Sequence, residues 1–182
     1  MLKGCKWCGD ENEDLRFGSC YSCAMRKTKI ISGFPAIGKS YFSEWSKVSK
    51  KTDVHDSDSS EFSWIKDDNG NNTDKRNPEF PNNYIKHIKK LMNDKKYDFI
   101  LISTHKQVRG ALVENNIPFL LVYPAKSLKN EYMDRFKSRG NKQGFLNLMD
   151  KNWDVFIQEL NDQKGCAKEI LGKSKYLMSI FE

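Results

Sequence analysis

A chain of 182 residues has room for one α/β domain with a real core and a small appendage, but not for two large domains. Charged residues make up 30% and apolar ones 38%, and the longest apolar runs, at 99–102 and 118–123, are far too short to cross a bilayer. The formal charge of +7 and a pI near 9.1 suit an anionic partner without choosing among nucleotides, nucleic acid and acidic surfaces. Because the lysines are scattered, a solvated surface explains the charge about as well.

Residues 1–9 reach two cysteines before any hydrophobic region develops, so no signal peptide is expected and the location expected is cytoplasmic. Cys5-Lys6-Trp7-Cys8 and Cys20-Tyr21-Ser22-Cys23 are two C-x-x-C pairs separated by eleven residues. Each pair can present two thiolates to one tetrahedral ion, which is zinc-ribbon spacing. Disulfides are the alternative, and a cytosolic setting disfavours them. The expectation is a Zn²⁺ site at Cys5, Cys8, Cys20 and Cys23 in a module spanning 1–27, with metal binding supplying folding energy. Only residues 24–27 separate it from the next strand, so it is expected to sit as a fused module with a structural or docking role.

Residues 28–32 (TKIIS) read as a short buried strand and 39–47 as a helix. Between them Gly33-Phe34-Pro35-Ala36-Ile37-Gly38-Lys39-Ser40 fits G-x-x-x-x-G-K-[ST] at every fixed position, in the strand-loop-helix context that the motif demands. Glycines there let backbone N–H groups turn toward an anion, the helix N-terminus adds positive charge, Lys39 reaches the β/γ-phosphates of ATP and the Ser40 hydroxyl ligates Mg²⁺. A Gly-rich turn before an ordinary helix is the alternative, which the strand-loop-helix context disfavours.

Residues 52–55 read as a second strand ending in Asp56-Ser57-Asp58, where carboxylates stand beside the nucleotide crevice of an open α/β sheet. One of Asp56 and Asp58 is expected to hold Mg²⁺ through water and the other to accept a proton from, or orient, an acceptor hydroxyl, with an Asx-turn or helix cap as the alternative. Residues 66–78 read as a long polar loop suited to an acceptor-binding flap. Phe62, Trp64 and Phe80 are candidates for stacking on a base, though single aromatics more often pack. A helix is expected over 84–93, a buried strand over 97–103, a helix over 107–115 that exposes Arg109, and a fourth strand over 117–123. The strand at 97–103 ends in Ser103-Thr104-His105, without the Mg²⁺-binding Asp of motor-type ATPases. His105 is either a substrate contact or part of a helix cap.

In 126–140, Arg135 and Arg139 lie four apart on one helix face, with Lys126 at the preceding turn. Paired guanidinium groups can bind phosphate oxygens and neutralise charge in phosphoryl transfer, although a solvated or helix-capping role fits as well. An amphipathic helix is expected over 143–161 with Phe145, Leu148, Met149, Trp153, Phe156, Ile157 and Leu160 in its buried stripe. Residues 175–181 read as a fifth strand or a terminal helix.

On these motifs, residues 33–182 resemble a small phosphate-loop kinase of the nucleoside monophosphate kinase and shikimate kinase type. Asp56-Ser57-Asp58 resembles the D-T-D of shikimate-type kinases, where the first carboxylate helps bind Mg²⁺ and the second binds the acceptor hydroxyl. Polynucleotide 5′-kinases also place an acceptor-facing Asp in this region. Arg135 and Arg139 resemble the paired lid arginines of nucleoside monophosphate kinases. Through GFPAIGKSYF, DSDSSEFSW, FPNNYIKHI and VYPAKSLKNEYMDRFKSRGN the segment also resembles small, uncharacterised ATP-binding proteins of phages of low-GC Gram-positive bacteria, which would place it in a host cytoplasm. The resemblance implies a three-layer α/β P-loop NTPase fold over 28–182, with a parallel sheet of about five strands. It implies an ATP- and Mg²⁺-dependent transfer to a small acceptor, most simply a nucleotide. Polynucleotide 5′-hydroxyl kinase, with nucleic acid as partner, and an ATP-gated zinc-ribbon binding protein without turnover are the alternatives. Within this reading Gly33, Pro35, Ala36, Ile37, Gly38, Lys39, Ser40 and Lys126 hold ATP, and Lys39, Asp56, Asp58, Arg135 and Arg139 carry the transfer.

Overall fold

The computed structural model describes residues 28–181. The expected zinc ribbon and its cysteines, at 1–27, lie outside the described residues. Seven strands and six α-helices follow one another as β1 (Lys29–Gly33), α1 (Lys39–Ser49), β2 (Val54–Asp56), α2 (Ser60–Ser63), β3 (Trp64–Lys66), β4 (Asn72–Arg76), α3 (Asn82–Asn93), β5 (Phe99–Ile102), α4 (Lys106–Glu114), β6 (Phe119–Pro124), α5 (Lys129–Ser138), α6 (Gln143–Asp162) and β7 (Ala167–Leu171). Two 3₁₀ turns, Lys126–Leu128 and Leu177–Ile180, complete the described residues.

Five of the strands form one sheet in the order β2-β5-β1-β6-β7, and every neighbouring pair is parallel. The central strands are apolar throughout because helices cover both faces, as parallel sheets require. Ile30, Ile31, Ile100, Leu101, Ile102 and Leu121 are all 1% exposed or less. The C-terminal turn packs with α1, while α3 packs on α4 and α6 on β6, giving a three-layer α/β architecture. From β1 the chain steps to the sheet edge at β2, and β5 then fills the space between. The next strand, β6, lies on the far side of β1. The strand order therefore reverses about β1, and in open α/β sheets the crevice at such a reversal, outside the carboxyl ends of the strands, is where ligands bind.

Three local expectations change. The fifth strand is Ala167–Leu171, while 175–181 carries the 3₁₀ turn Leu177–Ile180. As an edge strand β7 needs little apolar surface, so its AKEIL sequence lacks the hydrophobic run that marks a central strand. The polar stretch 66–78 is largely a hairpin: β3 and β4 pair antiparallel. Its turn is closed by the Asp67 carboxylate, which accepts from the N–H groups of Asn69 at 3.0 Å and Asn71 at 2.8 Å, and by Gly70 at φ +80°. Asn69-Gly70 is the residue signal for such a turn. In α6 the buried stripe runs through Leu146, Met149, Trp153, Ile157 and Leu160, whereas Leu148 is 51% exposed. Positions 146, 149, 153, 157 and 160 keep the three-and-four spacing that holds one helix face inward, and 148 falls off it.

Arg109 is buried rather than exposed, at 2%. Its Nε donates to Thr104 O at 3.0 Å, and its guanidinium also donates to Gln163 Oε1 and Glu159 Oε1. Glu159 lies on α6 and Gln163 is its C-cap residue, so this arginine bolts α4 to the C-terminal end of α6. Among the described residues no helix is long and apolar enough to cross a membrane.

Candidate functional site

The carboxyl ends of three adjacent strands, β2, β5 and β1, place Asp56, Ser103 and Gly33 side by side. Above them opens a cleft of about 740 Å³ lined by Pro35, Ala36, Gly38, Lys39, Ser40, Asp56, Asp58, Arg135 and Arg139, among others. Nine of the residues singled out in the sequence, separated by up to a hundred positions, thus meet in one concavity.

The β1–α1 loop has a backbone that few residues adopt. Ala36 has φ +61° and Gly38 φ +99°, and left-handed residues alternating along a turn aim successive N–H groups into one concavity. Gly38 is the N-cap of α1 and supplies no side-chain cap. The first intrahelical bond runs from Phe42 N–H to Gly38 O, 3.0 Å, so the N–H groups of Lys39, Ser40 and Tyr41 have no helix acceptor and, with the helix dipole, favour an anion. Gly33 leaves space that a side chain would take, since a Cβ there would stand 2.6 Å from Ile37 Cδ1 and 3.0 Å from Lys39 Cδ. Ile37 itself is wholly buried in the core and contributes its carbonyl, which accepts from Leu177 N–H at 2.8 Å.

Lys39 folds back over this loop. Its Nζ donates to Gly33 O at 2.7 Å and Phe34 O at 3.2 Å. Burial pushes its pKa down from 10.5 to about 8; Asp56 opposes the shift, Arg139 adds to it and Asp58 opposes it. The ammonium is charged at neutral pH, but its hydration has been replaced by two carbonyls, and an anion in the cleft would restore what it lost.

The Ser40 hydroxyl donates to Asp56 Oδ2 at 3.0 Å. An oxygen pair this close suits Mg²⁺, which takes one or two protein oxygens and keeps waters and substrate phosphates for the rest. Among the described residues no group of three or more His, Cys, Asp or Glu is gathered for a metal. Asp58 forms the Asx-turn that opens α2, its Oδ1 accepting from Ser60 N–H at 2.8 Å. Asp58 also lines the cavity.

The two arginines differ. Arg135 is committed to the protein: it pairs with Glu131 at 2.6 Å, donates to Ala36 O at 3.3 Å and Lys175 O at 3.0 Å, and lies against Tyr132 and Tyr176, 4.6 and 3.9 Å from their ring centroids. It buttresses the loop. Arg139, at the C-cap of α5, has no side-chain partner among the described residues. Lys126 lies away from the cleft; its ammonium pairs with Asp154 at 3.7 Å and its carbonyl accepts from Trp153 Nε1 at 2.8 Å. It therefore braces the helix layer and does not stand where a ligand in the cleft would touch it.

Of the aromatic candidates, Phe62 packs on Tyr84 and His87 with centroids 5.1 and 4.7 Å apart, and Phe80 packs on Tyr84. Trp64 carries the Arg76 guanidinium over its ring at 3.9 Å. His105 is exposed just beyond Ser103. Desolvation lowers its pKa, as do Arg76 and Arg109, with Asp58 pulling the other way, so its imidazole is neutral near pH 7.

The sequence reading missed Tyr176 and Ser57. Tyr176 lies over the loop, its Cδ1 3.4 Å from where a Gly38 Cβ would stand; nothing local in KYLMSIF signals that contact. Ser57 lines the cleft, is 5% exposed, and its Oγ has no hydrogen-bond partner among the described residues.

Comparison with protein-family models, with curated proteins and with solved structures gave no significant match.

Proposed function

We propose that this chain is an ATP-dependent phosphotransferase with a P-loop NTPase fold of the small-kinase kind, transferring the γ-phosphoryl group to a small acceptor of the nucleotide class. The observation that carries the reading is the convergence of Lys39, the Ser40–Asp56 pair, Asp58 and Arg139 on one cleft at the carboxyl ends of β1, β2 and β5. In this reading the loop N–H groups and Lys39 hold the β- and γ-phosphates, Ser40 and Asp56 hold Mg²⁺, Asp58 orients the acceptor and Arg139 meets the charge of the transferring group. Mg²⁺, when bound, supplies neutralisation of the phosphate oxygens. Arg135 positions the loop through Ala36 O and does not touch the phosphate. The Zn²⁺ site proposed at Cys5, Cys8, Cys20 and Cys23 rests on spacing alone, and a metal content of one zinc per chain is its test.

The screen that tests the proposal measures ATP consumption against nucleosides, nucleoside monophosphates and 5′-hydroxyl oligonucleotides. Transfer to a mononucleotide or nucleoside is the expected result, labelled oligonucleotide ends would make it a polynucleotide kinase, and ATP binding without transfer would leave an ATP-gated binding protein. Asp58→Asn and Arg139→Ala are each expected to lower kcat by about a hundredfold; full activity in both would overturn their roles.

Proton uptake tests the Lys39 contact separately. Because the free protein holds Lys39 near pKa 8 and phosphate would raise it, binding of a non-hydrolysable ATP analogue at pH 8 is expected to take up roughly half a proton per chain. The uptake should vanish below about pH 6.5, where the ammonium is charged in both states. Calorimetry in buffers of different ionisation enthalpy measures it, and Lys39→Met should abolish it.

A further inference from the structure

Lysines that look scattered along the sequence gather on α3. Its buried side carries Tyr84, Ile85, Ile88 and Leu91, and positions 86, 89 and 90, at the same three-and-four spacing, put lysines on the opposite side. Lys95 and Lys96 follow the helix end. Residues 86–96 thus hold five exposed lysines against one aspartate, Asp94, a surplus of four out of the chain's formal +7. On α1 and α5 the lysines are laced with acids: Lys47 pairs with Glu44, Lys129 with Asp150 and Lys137 with Asp134. Among the described residues no carboxylate lies within ion-pair distance of Lys86, Lys89, Lys90, Lys95 or Lys96. Like charges three and four apart on a helix repel one another, and a face of one sign draws a polyanion.

Beside this face runs a row of half-buried rings. Phe62 of α2, His87 of α3, His55 of β2 and Tyr97, just ahead of β5, follow one another with centroids 4.7, 6.2 and 4.9 Å apart. Lys96 Nζ stands 5.3 Å from the Tyr97 centroid. Burial lowers the pKa of both imidazoles; Asp56 raises and Lys96 lowers that of His55, while His55 and Lys90 lower that of His87. Both rings are therefore neutral at pH 7, within the field of the lysines.

We propose that the α3 face and this row of rings bind single-stranded nucleic acid, with the lysines on the phosphates and the rings against the bases. A duplex satisfies the lysines but keeps its bases stacked away from the rings, and an acidic peptide brings charge without a succession of bases to stack. The hollow that His55 and Tyr97 share with α1 also holds Glu44, Asp53 and Asp56, which repel a polyanion and keep the strand on the α3 side. None of the five lysines and four rings lines the cleft at the end of β1, so this surface stands apart from the phosphotransferase reading.

The full chain, without ATP, is titrated by fluorescence anisotropy against a short labelled oligothymidylate, an oligouridylate and a DNA duplex of the same length, over a series of salt concentrations. Both single strands are expected to bind more tightly than the duplex, with log K falling linearly against log salt. Lys90→Gln with Lys96→Gln is expected to lower the slope by about 1.4 and the affinity about twentyfold at about 0.1 M salt, since each lost phosphate contact removes about 0.7 from the slope. Lys129→Gln with Lys137→Gln makes the same change of charge among paired lysines and should leave the affinity within about twofold. Tyr97→Ala and His87→Ala should each weaken binding at least about fivefold without changing the slope; should Tyr97→Ala fail to fold, His87→Ala carries the test of the rings. A tighter DNA or RNA arm names the sugar that the surface prefers. The inference is overturned if the duplex binds as tightly as the strands, if the control pair weakens binding as much as the α3 pair, if the folded ring variants bind like wild type, or if the wild-type chain binds no strand at the lowest salt.

Discussion

Lys39→Met is expected to abolish phosphoryl transfer while making the protein more stable, two effects of opposite sign from one side chain. On the activity side, Lys39 is the cation aimed at the transferring phosphate in the proposed mechanism. Removing such a preorganised charge lowers kcat by roughly a hundred- to a thousandfold or more. On the stability side, burial lowers its pKa to about 8. A lysine whose folded pKa lies below its unfolded one makes the folded state pay for the charge at every pH below the folded value. That cost is about 3 kcal/mol at pH 7, and it is relieved as pH rises from about 8 toward 10.5, where the unfolded chain still holds the proton and the folded chain has lost it. Methionine fills nearly the same volume without the charge, at the expense of the bonds to Gly33 O and Phe34 O, each worth about 1 kcal/mol. A net gain of about 1 kcal/mol is expected at pH 7, and the stability of the variant should be flatter than wild type between about pH 8 and 10.5. Urea unfolding at pH 7 and pH 10 checks it. Undiminished transfer would remove Lys39 from the mechanism, and a stability loss at pH 7 would show that the ammonium is better solvated than its contacts imply. Such an opposition of activity and stability is what a site built for a ligand's charge produces.

Trp153→Ala should cause the largest loss of stability, about 3–5 kcal/mol, out of a total of about 5–15 kcal/mol for a domain of ordinary stability. Trp153 is 1% exposed. Its ring meets Phe34 edge-on, with centroids 5.6 Å apart and planes at 88°, and meets Tyr132 at 5.6 Å, while Nε1 donates to Lys126 O at 2.8 Å. The truncation leaves a cavity between α5, α6 and the β1–α1 loop and strands a carbonyl. Because Phe34 belongs to that loop, affinity for an ATP analogue should fall as well, even under conditions where the variant is folded. Trp153→Phe keeps the ring contact and loses the hydrogen bond, so about 1–2 kcal/mol is expected. A denaturant midpoint shift with unchanged m value measures both. A loss below about 1 kcal/mol for the alanine variant would mean that the three elements close over the gap, contrary to the packing density of interiors.

What could be read from the chain depended on how local the physics was. Residues 28–32, 97–103 and 117–123 are apolar runs of strand length, and buried parallel strands have that signature whatever surrounds them. The loop from Gly33 to Ser40 declared its shape because glycine at 38 answers a backbone need, φ +99°, that is settled within a few residues. Asp56 and Asp58 announced themselves by standing at the end of a strand. The hairpin went unread: Asn69-Gly70 and the Asp67 carboxylate are turn chemistry, but the polar faces of β3 and β4 carry no apolar alternation to mark the flanking strands.

By itself, then, the sequence determined an α/β chain of alternating elements and the residues that a cleft at the strand ends would contain. Tertiary structure alone decided how those residues divide the work. Arg135 and Arg139 are alike on a helical wheel, yet Arg135 is consumed by Glu131, Ala36 and Tyr176 while Arg139 has no side-chain partner among the described residues. Arg109, equally charged and also on a helix, disappears into the core because Glu159 and Gln163, some fifty residues away, supply its acceptors. A side chain's partner across such distances is set by which elements the sheet order brings together, and no window of local sequence contains that information.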